Sequence, residues 1–214
     1  GIIAAGAVMH YLSETRHDKL QHINTISRIS EEAYVWMDRF TIRNLELYHG
    51  NALQSVTLLD VVDKTISAMG SRLLKRWLSL PLKQKDKIEE RLNAVDYLNS
   101  HQSLLQKIQQ QLKKISDLER LISKIATQKV NPKELLQLKD SLDAIIPVKK
   151  ELSRHDNESL KVIADNIHSC DLLREKIEAC IQEEAPVLLS KGNVIAKGFH
   201  EELDELRHLA FSGK

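Results

Sequence analysis

Apolar positions recur along this chain at steps of three and four, and that spacing predicts one helix after another. The clearest pattern lies between Leu58 and Leu98. At about 100° per residue, Met69, Leu73, Leu74, Trp77 and Leu78 fall on one arc of a helix over Met69–Ser79, and Arg72, Lys75 and Arg76 fall on the other side. Pro81 biases Leu80 away from helical angles, so this helix ends there. A second helix spans Lys85–Ser100, with Ile88, Leu92, Val95 and Leu98 on one face. Trp77, on the apolar arc, reads as core packing, and Pro81 as a corner between two rigid helices.

The rest of the chain reads mostly the same way. Ile2–Thr15 is a helix whose small residues Ala4, Ala5, Gly6 and Ala7 suit packing against another element. His17–Glu32 is a polar linker. Ala33–Phe40 is rich in β-branched and aromatic residues and reads as a short strand. A helical turn over Thr41–Leu47 precedes a loop over Tyr48–Val56 with a His49-Gly50-Asn51 turn signal. His101–Ile115 is helical. Ser116-Asp117-Leu118-Glu119 has the spacing of a capping box and opens the next helix. Asn131-Pro132-Lys133-Glu134 is a stronger start signal, for a helix that stops near Pro147. Helices over Ser159–His168 and Asp171–Gln182 follow, the latter closed by Pro186. Val187–Ala196 reads as a β-hairpin, and Phe199–Phe211 as a charged helix. The fold class is all-α, a multi-helix domain with one or two minor short strands.

Composition narrows the chemistry. The chain has 31 basic and 30 acidic side chains, aromatics are 4% of its 214 residues, and Gly and Pro number only 7 and 4. The charge balance argues against a dedicated polyanion binder, and the core must be built from Leu and Ile. Cys170 and Cys180 stand in helical pattern without a CxxC and read as free buried thiols in a reducing compartment. The histidines form no HExxH. No apolar run reaches the ~18–20 residues of a membrane span. No nucleophile elbow or glycine-rich phosphate loop is present, and Gly213-Lys214 lacks the rest of a P-loop. Asp60 with Asp63, and Glu201, Glu202, Asp204 and Glu205, read as solvated helix faces. Arg72, Lys75 and Arg76 are candidate nucleic-acid or domain contacts. No catalytic, cofactor-binding or metal-ligating residue emerges. The residues alone thus describe a soluble multi-helix segment without catalysis.

A resemblance carries the reading further. Leu58-Leu59, Thr65, Met69-Gly70-Ser71-Arg72-Leu73-Leu74-Lys75-Arg76-Trp77-Leu78, Pro81-Leu82 and Ile88-Glu89-Glu90-Arg91-Leu92 resemble the core region of the MutS family of DNA mismatch-repair ATPases. Upstream, Met37-Asp38, Thr41, Arg43 and Asn44-Leu45-Glu46-Leu47 match a second signature. Asp117-Leu118-Glu119-Arg120, Ile125-Ala126 and Pro132 match the helix pair that follows. Gly198-Phe199 with Glu202-Leu203-Asp204-Glu205-Leu206-Arg207 is similar to the approach to the family's clamp. One departure is Asn93, where the family more often has Asp. The Phe-x-Glu motif of the family's mismatch-reading domain and the Walker A loop of its ATPase domain are not in this sequence.

The resemblance implies a core and lever segment of a longer protein, and Gly1, which stands in helical pattern without a preceding Met, suggests a fragment. Residues 1–32 would be the last connector helix and a linker, 33–196 the helical core and lever, and 197–214 the start of the helix leading into the clamp. The signature residues Asp38, Thr41, Asn44, Leu45, Glu46, Leu47, Met69, Gly70, Arg72, Leu73, Leu74, Lys75, Trp77, Leu78, Pro81, Arg91 and Leu92 would be structural. Arg72 is also a candidate tie to a neighbouring domain. The parent would be a cytoplasmic homodimer that binds mismatched double-stranded DNA, uses ATP and Mg and meets a MutL-type partner. The alternatives are a free-standing helical nucleic-acid-binding or interaction module, and the core of a recombination-type MutS-like protein.

Overall fold

The computed structural model describes residues 1–15, 23, 25–27, 29, 30, 32–50, 52 and 55–212, and of Phe211 the backbone alone. Most of the expected linker over 17–32, Asn51 of the turn signal, and Gly213-Lys214 lie outside them. Among the described residues the fold is all-α. Its helices are α1 Ile2–Glu14, α2 Arg39–Asn44, α3 Leu58–Val62, α4 Ala68–Ser79, α5 Lys85–Ser100, α6 Gln102–Leu112, α7 Leu118–Ala126, α8 Pro132–Arg154, α9 Glu158–Asp165, α10 Asp171–Cys180 and α11 Glu201–Ser212. The expected strands reduce to two isolated antiparallel bridges, Tyr34 with Leu82 and Ile181 with Ile195.

The organising element is α8. The predicted cap at Asn131 forms, and Glu134 makes it reciprocal: Asn131 Oδ1 accepts from the Glu134 amide at 2.9 Å, and Glu134 Oε2 accepts from the Asn131 amide at 3.1 Å. The helix does not stop at Pro147 as its sequence suggested. It runs on to Arg154 because Val148 and Leu152, beyond the proline, are buried. That burial outweighs the hydrogen bond the proline removes.

Two apolar clusters flank this helix. One joins Leu121 of α7, Leu138 and Leu142 of α8 and Ile177 of α10 with Ile181 and Ala185. The other joins Ala94 of α5, Leu104 and Ile108 of α6, Val148 and Leu152 of α8, and Leu160 and Ala164 of α9. Leu160 and Ala164 are fully buried. The buried side of α5 is therefore Ala94 with Tyr97 and Leu98 packed beside it, whereas Leu92 and Val95, placed on the apolar face by periodicity, are exposed. Buried Ser141 lies near the middle of α8. Its hydroxyl donates to the Gln137 carbonyl at 2.7 Å and accepts the Ser116 amide at 2.9 Å.

Other expectations change for equally local reasons. Asp117, not Ser116, caps α7 by accepting the Arg120 amide at 3.3 Å. Helix α10 ends at Cys180, before Pro186, because Ile181 turns extended and pairs with Ile195. No hairpin forms over 187–196. Gly192 and Asn193 have positive φ, and the turn they make brings Val194 against the α7–α10 cluster. The cysteines are free, but Cys170 is exposed and Cys180 only half-buried, which corrects the buried reading. Helix α1 buries no residue fully; of its small residues Ala4, Gly6 and Ala7 are exposed and Ala5 is half-buried. Among the described residues no helix is long and apolar enough to cross a membrane.

Candidate functional site at the signature helices

The signature residues build a chain of caps and close contacts. Asp38 caps α2 by accepting the Thr41 amide at 2.7 Å. Thr41, through its hydroxyl and then its amide, holds the Asp38 carboxyl below its ordinary value. After Asn44 the chain turns through Leu45 and Glu46, the latter at φ 48°, and buries Leu47. The Glu46 and Leu47 carbonyls then accept the amides of Leu58 and Leu59 at 3.0 and 3.1 Å. Those amides open α3 and have no partner within the helix, so the signature turn completes its first turn. Thr57 and Asp60 close the same end with a reciprocal cap.

Asp63 then ties α3 to α4. It accepts from the Thr65 amide at 3.0 Å, from the Thr65 hydroxyl at 2.6 Å, and from the Ser71 hydroxyl. Ser67 caps α4 by accepting the Gly70 amide at 3.1 Å. A Cβ at Gly70 would lie 3.2 Å from Ser67 Oγ and 3.3 Å from Thr65 Cβ, which explains a glycine inside the first turn of a helix. Met69, Leu74 and Leu78 are half-buried, while Leu73 is exposed. No residue of α4 is fully buried.

The basic side of α4 is not a free cationic stripe. Arg72 donates to Asp117 through both terminal nitrogens, at 2.9 and 2.6 Å, and to Glu119 through Nε at 2.6 Å. This two-carboxylate fork holds the Asp117 carboxyl below its ordinary value and raises the Arg72 guanidinium further above neutrality. Because Asp117 also caps α7, Arg72 joins α4 to the amino end of a helix that packs in the core. Lys75 lies 5.0 Å above the Tyr48 ring, and its carbonyl accepts the Tyr48 hydroxyl at 3.0 Å. Arg76 is exposed. The three cations thus face different surroundings, and one is neutralised by two acids.

Trp77 is not a core residue. It is 40% exposed, and the Arg91 guanidinium of α5 sits 3.7 Å from its ring centre. This cation–π contact pins α4 to α5 across the corner at Pro81. The Pro81 carbonyl accepts the Val35 amide at 2.7 Å, and the Lys83 amide donates to the Ala33 carbonyl at 3.0 Å. The stretch read as a strand is held at this corner. Leu92, the last signature position, is 59% exposed.

Sequence reasoning missed the partners more than the residues. Arg91 and Trp77 are 14 positions apart, and Arg72 and Asp117 are 45 apart. Only the opposite charges of the two signatures hinted at the second pair. Of the acidic groups, Asp60, Asp63 and Asp204 serve as caps or ties, Asp204 accepting the Gly198 amide at 2.6 Å and Arg207 at 2.8 Å, whereas Glu201, Glu202 and Glu205 are exposed on α11. Among the described residues no group of three or more His, Cys, Asp or Glu is placed to hold a metal ion.

Comparison with known proteins gives this arrangement its relatives. The sequence model of MutS domain III matches residues 40–210. The chain belongs to the MutS domain III family. It is 67% identical over all 214 residues to the DNA mismatch repair protein MutS of Christiangramia forsetii, of which it covers 25%. It is 60% identical to the MutS of Flavobacterium psychrophilum and 47% identical to that of Cytophaga hutchinsonii, again over its full length and 25% of theirs. The MutS domain III chain thus spans a quarter of the length of these relatives.

Proposed function

We propose that this MutS domain III chain is the core and lever segment of a DNA mismatch-repair protein, coupling a DNA-embracing clamp mechanically to an ATPase domain. The observation that carries the reading is the end-to-end match to 25% of proteins named for DNA mismatch repair. Residues 1–32 would then be the last connector helix and a linker, 33–196 the core and lever, and 197–214 the start of the helix toward the clamp. Mismatched DNA, ATP with Mg, the homodimer, the MutL-type partner and a cytoplasmic location belong in this reading to the longer protein.

Two physical features support a mechanical role. The accessible surface is 16260 Å², against about 10,000 Å² for a compact monomer of this mass. That excess suits a segment that works packed among other domains. The long helix α8 reaches both apolar clusters, and a packed helix carries displacement from end to end. A free-standing nucleic-acid module using Arg72, Lys75 and Arg76 is disfavoured by the fork of acids on Arg72.

Two assays test the reading. The 214-residue chain is expected to hydrolyse no ATP and to bind DNA weakly and in a salt-sensitive way. Mismatch-selective binding at nanomolar levels by this chain alone overturns it. In a full-length relative, replacing the residue equivalent to Arg72 by Gln is expected to reduce stimulation of ATP hydrolysis by mismatched DNA. Unchanged stimulation removes Arg72 from the coupling path.

A further inference from the structure

Helix α8 carries a proline in its interior, and Pro147 sits where one apolar cluster gives way to the other. Leu138, Leu142 and Ile145 on its amino side pack with α7 and α10, and Val148 and Leu152 on its carboxyl side pack with α5, α6 and α9. Among the described residues, α8 is the one helix with buried side chains in both clusters. Elsewhere the chain passes between the two halves through short non-helical connections, 113–117 and 166–170. Each half has its own polar ties to α8. Arg174 of α10 donates to Asp143 at 2.6 Å, whereas Lys107 of α6 pairs with Glu151 at 3.4 Å and Lys149 donates to the Ile167 carbonyl at 2.7 Å.

Pro147 has no amide hydrogen, so the Asp143 carbonyl loses its partner within the helix, and the ring crowds the turn before it. The helix is weakest there. A cleft of about 150 Å³ opens beside the same turn, between α6 and α8, lined by Lys107, Ile108, Gln111, Pro147, Val148 and Glu151. The cleft belongs to the α6 side of the carboxyl half and adjoins the turn where the helix ladder is interrupted.

We infer that Pro147 is a hinge in α8, about which the α7–α10 cluster and the α5–α6–α9 cluster tilt as two rigid halves. Bending at a proline leaves both sets of buried contacts intact, because each set lies wholly on one side of it. The hinge gives the proposed coupling role a joint, and it rests on that role for its purpose but not for its test.

Residue-resolved hydrogen exchange on the 214-residue chain reads it directly, with neither DNA nor ATP present. Amides at 144–146 and 148–152 are expected to exchange at least about tenfold faster than those at 135–142, because local opening at a weakened turn bypasses global unfolding. Pro147→Ala is expected to slow the first group at least about tenfold and to leave the second within about twofold. Equal exchange at the Pro147 turn and over 135–142 in the unaltered chain overturns the hinge and requires no variant. Uniform slowing across α8 in P147A also overturns it, since that marks a general stabilisation. Either failure leaves the coupling role standing, and loss of the coupling role leaves the exchange pattern unchanged.

Discussion

The helices over 33–92 and the helices over 94–185 are stabilised in different ways. The first region holds the most distinctive sequence, yet Leu47 and Thr57 are its buried side chains among the described residues. It is held by caps, an ion-pair fork and a cation–π contact. The second region is plainer in sequence and contains both apolar clusters. Distinctive sequence therefore marks geometry that must be exact at the surface, such as Gly70 against Thr65 or Arg72 across to Asp117. Core packing accepts many arrangements of Leu and Ile, so it leaves a weaker signature.

The sharpest way to break this contrast is to truncate one large side chain in each region. Leu160→Ala, at 0% exposure, is expected to cost about 2–5 kcal/mol in urea unfolding, because it leaves a cavity in a packed cluster. Trp77→Ala removes a half-exposed ring and its contact with Arg91, and is expected to cost about 1 kcal/mol. Equal losses would place Trp77 in a core after all. An effect of similar size belongs to the α8 cap: Asn131→Ala is expected to cost about 1 kcal/mol, read by the same unfolding curves.

Acid sharpens the contrast from the other side. The carboxyls of Asp38, Asp60 and Asp63 in the first region, and of Asp117, Glu134, Glu151 and Asp156 in the second, are held below their ordinary values by hydrogen bonds or cations, but among the described residues only the second region has apolar clusters to hold it when they are protonated. For each, the folded value lies below the unfolded one, so the stabilisation is complete above the unfolded value. It is lost as pH falls through the folded values, below about 4. Unfolding measured from pH 7 to pH 3 is expected to show the 33–92 region loosening before the 94–185 region, with tryptophan fluorescence reporting the first event and far-UV circular dichroism the second. Coincident transitions would show that the two regions are one cooperative unit.

The smallest effect is expected from Arg72→Gln. The fork is solvent-screened, with the Arg72 side chain 47% exposed, so its loss is expected to move the unfolding midpoint less than Asn131→Ala does. Amide exchange in α4 is expected to quicken while α8 stays protected. Comparable exchange changes in both would mean that the fork supports the core as well as positioning α4.

Much of the fold was legible because helices announce themselves locally. The step of three and four, Asn131-Pro132 at a helix start and Pro81 at a helix end are short-range signals. The same reasoning failed at Pro147 and at 187–196. In both places a distant burial decided the outcome, Val148 with Leu152 in one case and Ile181 with Val194 in the other. The candidate site was half legible. Its residues, Asp117 and Glu119 among them, stood out by resemblance, but their pairing did not, since Tyr48, Asp117 and Glu119 approach α4 only through the fold.

Taken by itself, the sequence determined an all-α chain, the starts of most helices and membership of the MutS domain III family. Those properties live in backbone propensity, capping chemistry and side-chain order, all of which act over a few residues. The tertiary structure alone decided which apolar faces are buried, that Trp77 stays half exposed beneath Arg91, and that Arg72 is spent on two acids of another helix. It also decided that α8 continues through its proline. Each of these depends on the free energy of contacts between residues far apart in the chain, which no local pattern encodes.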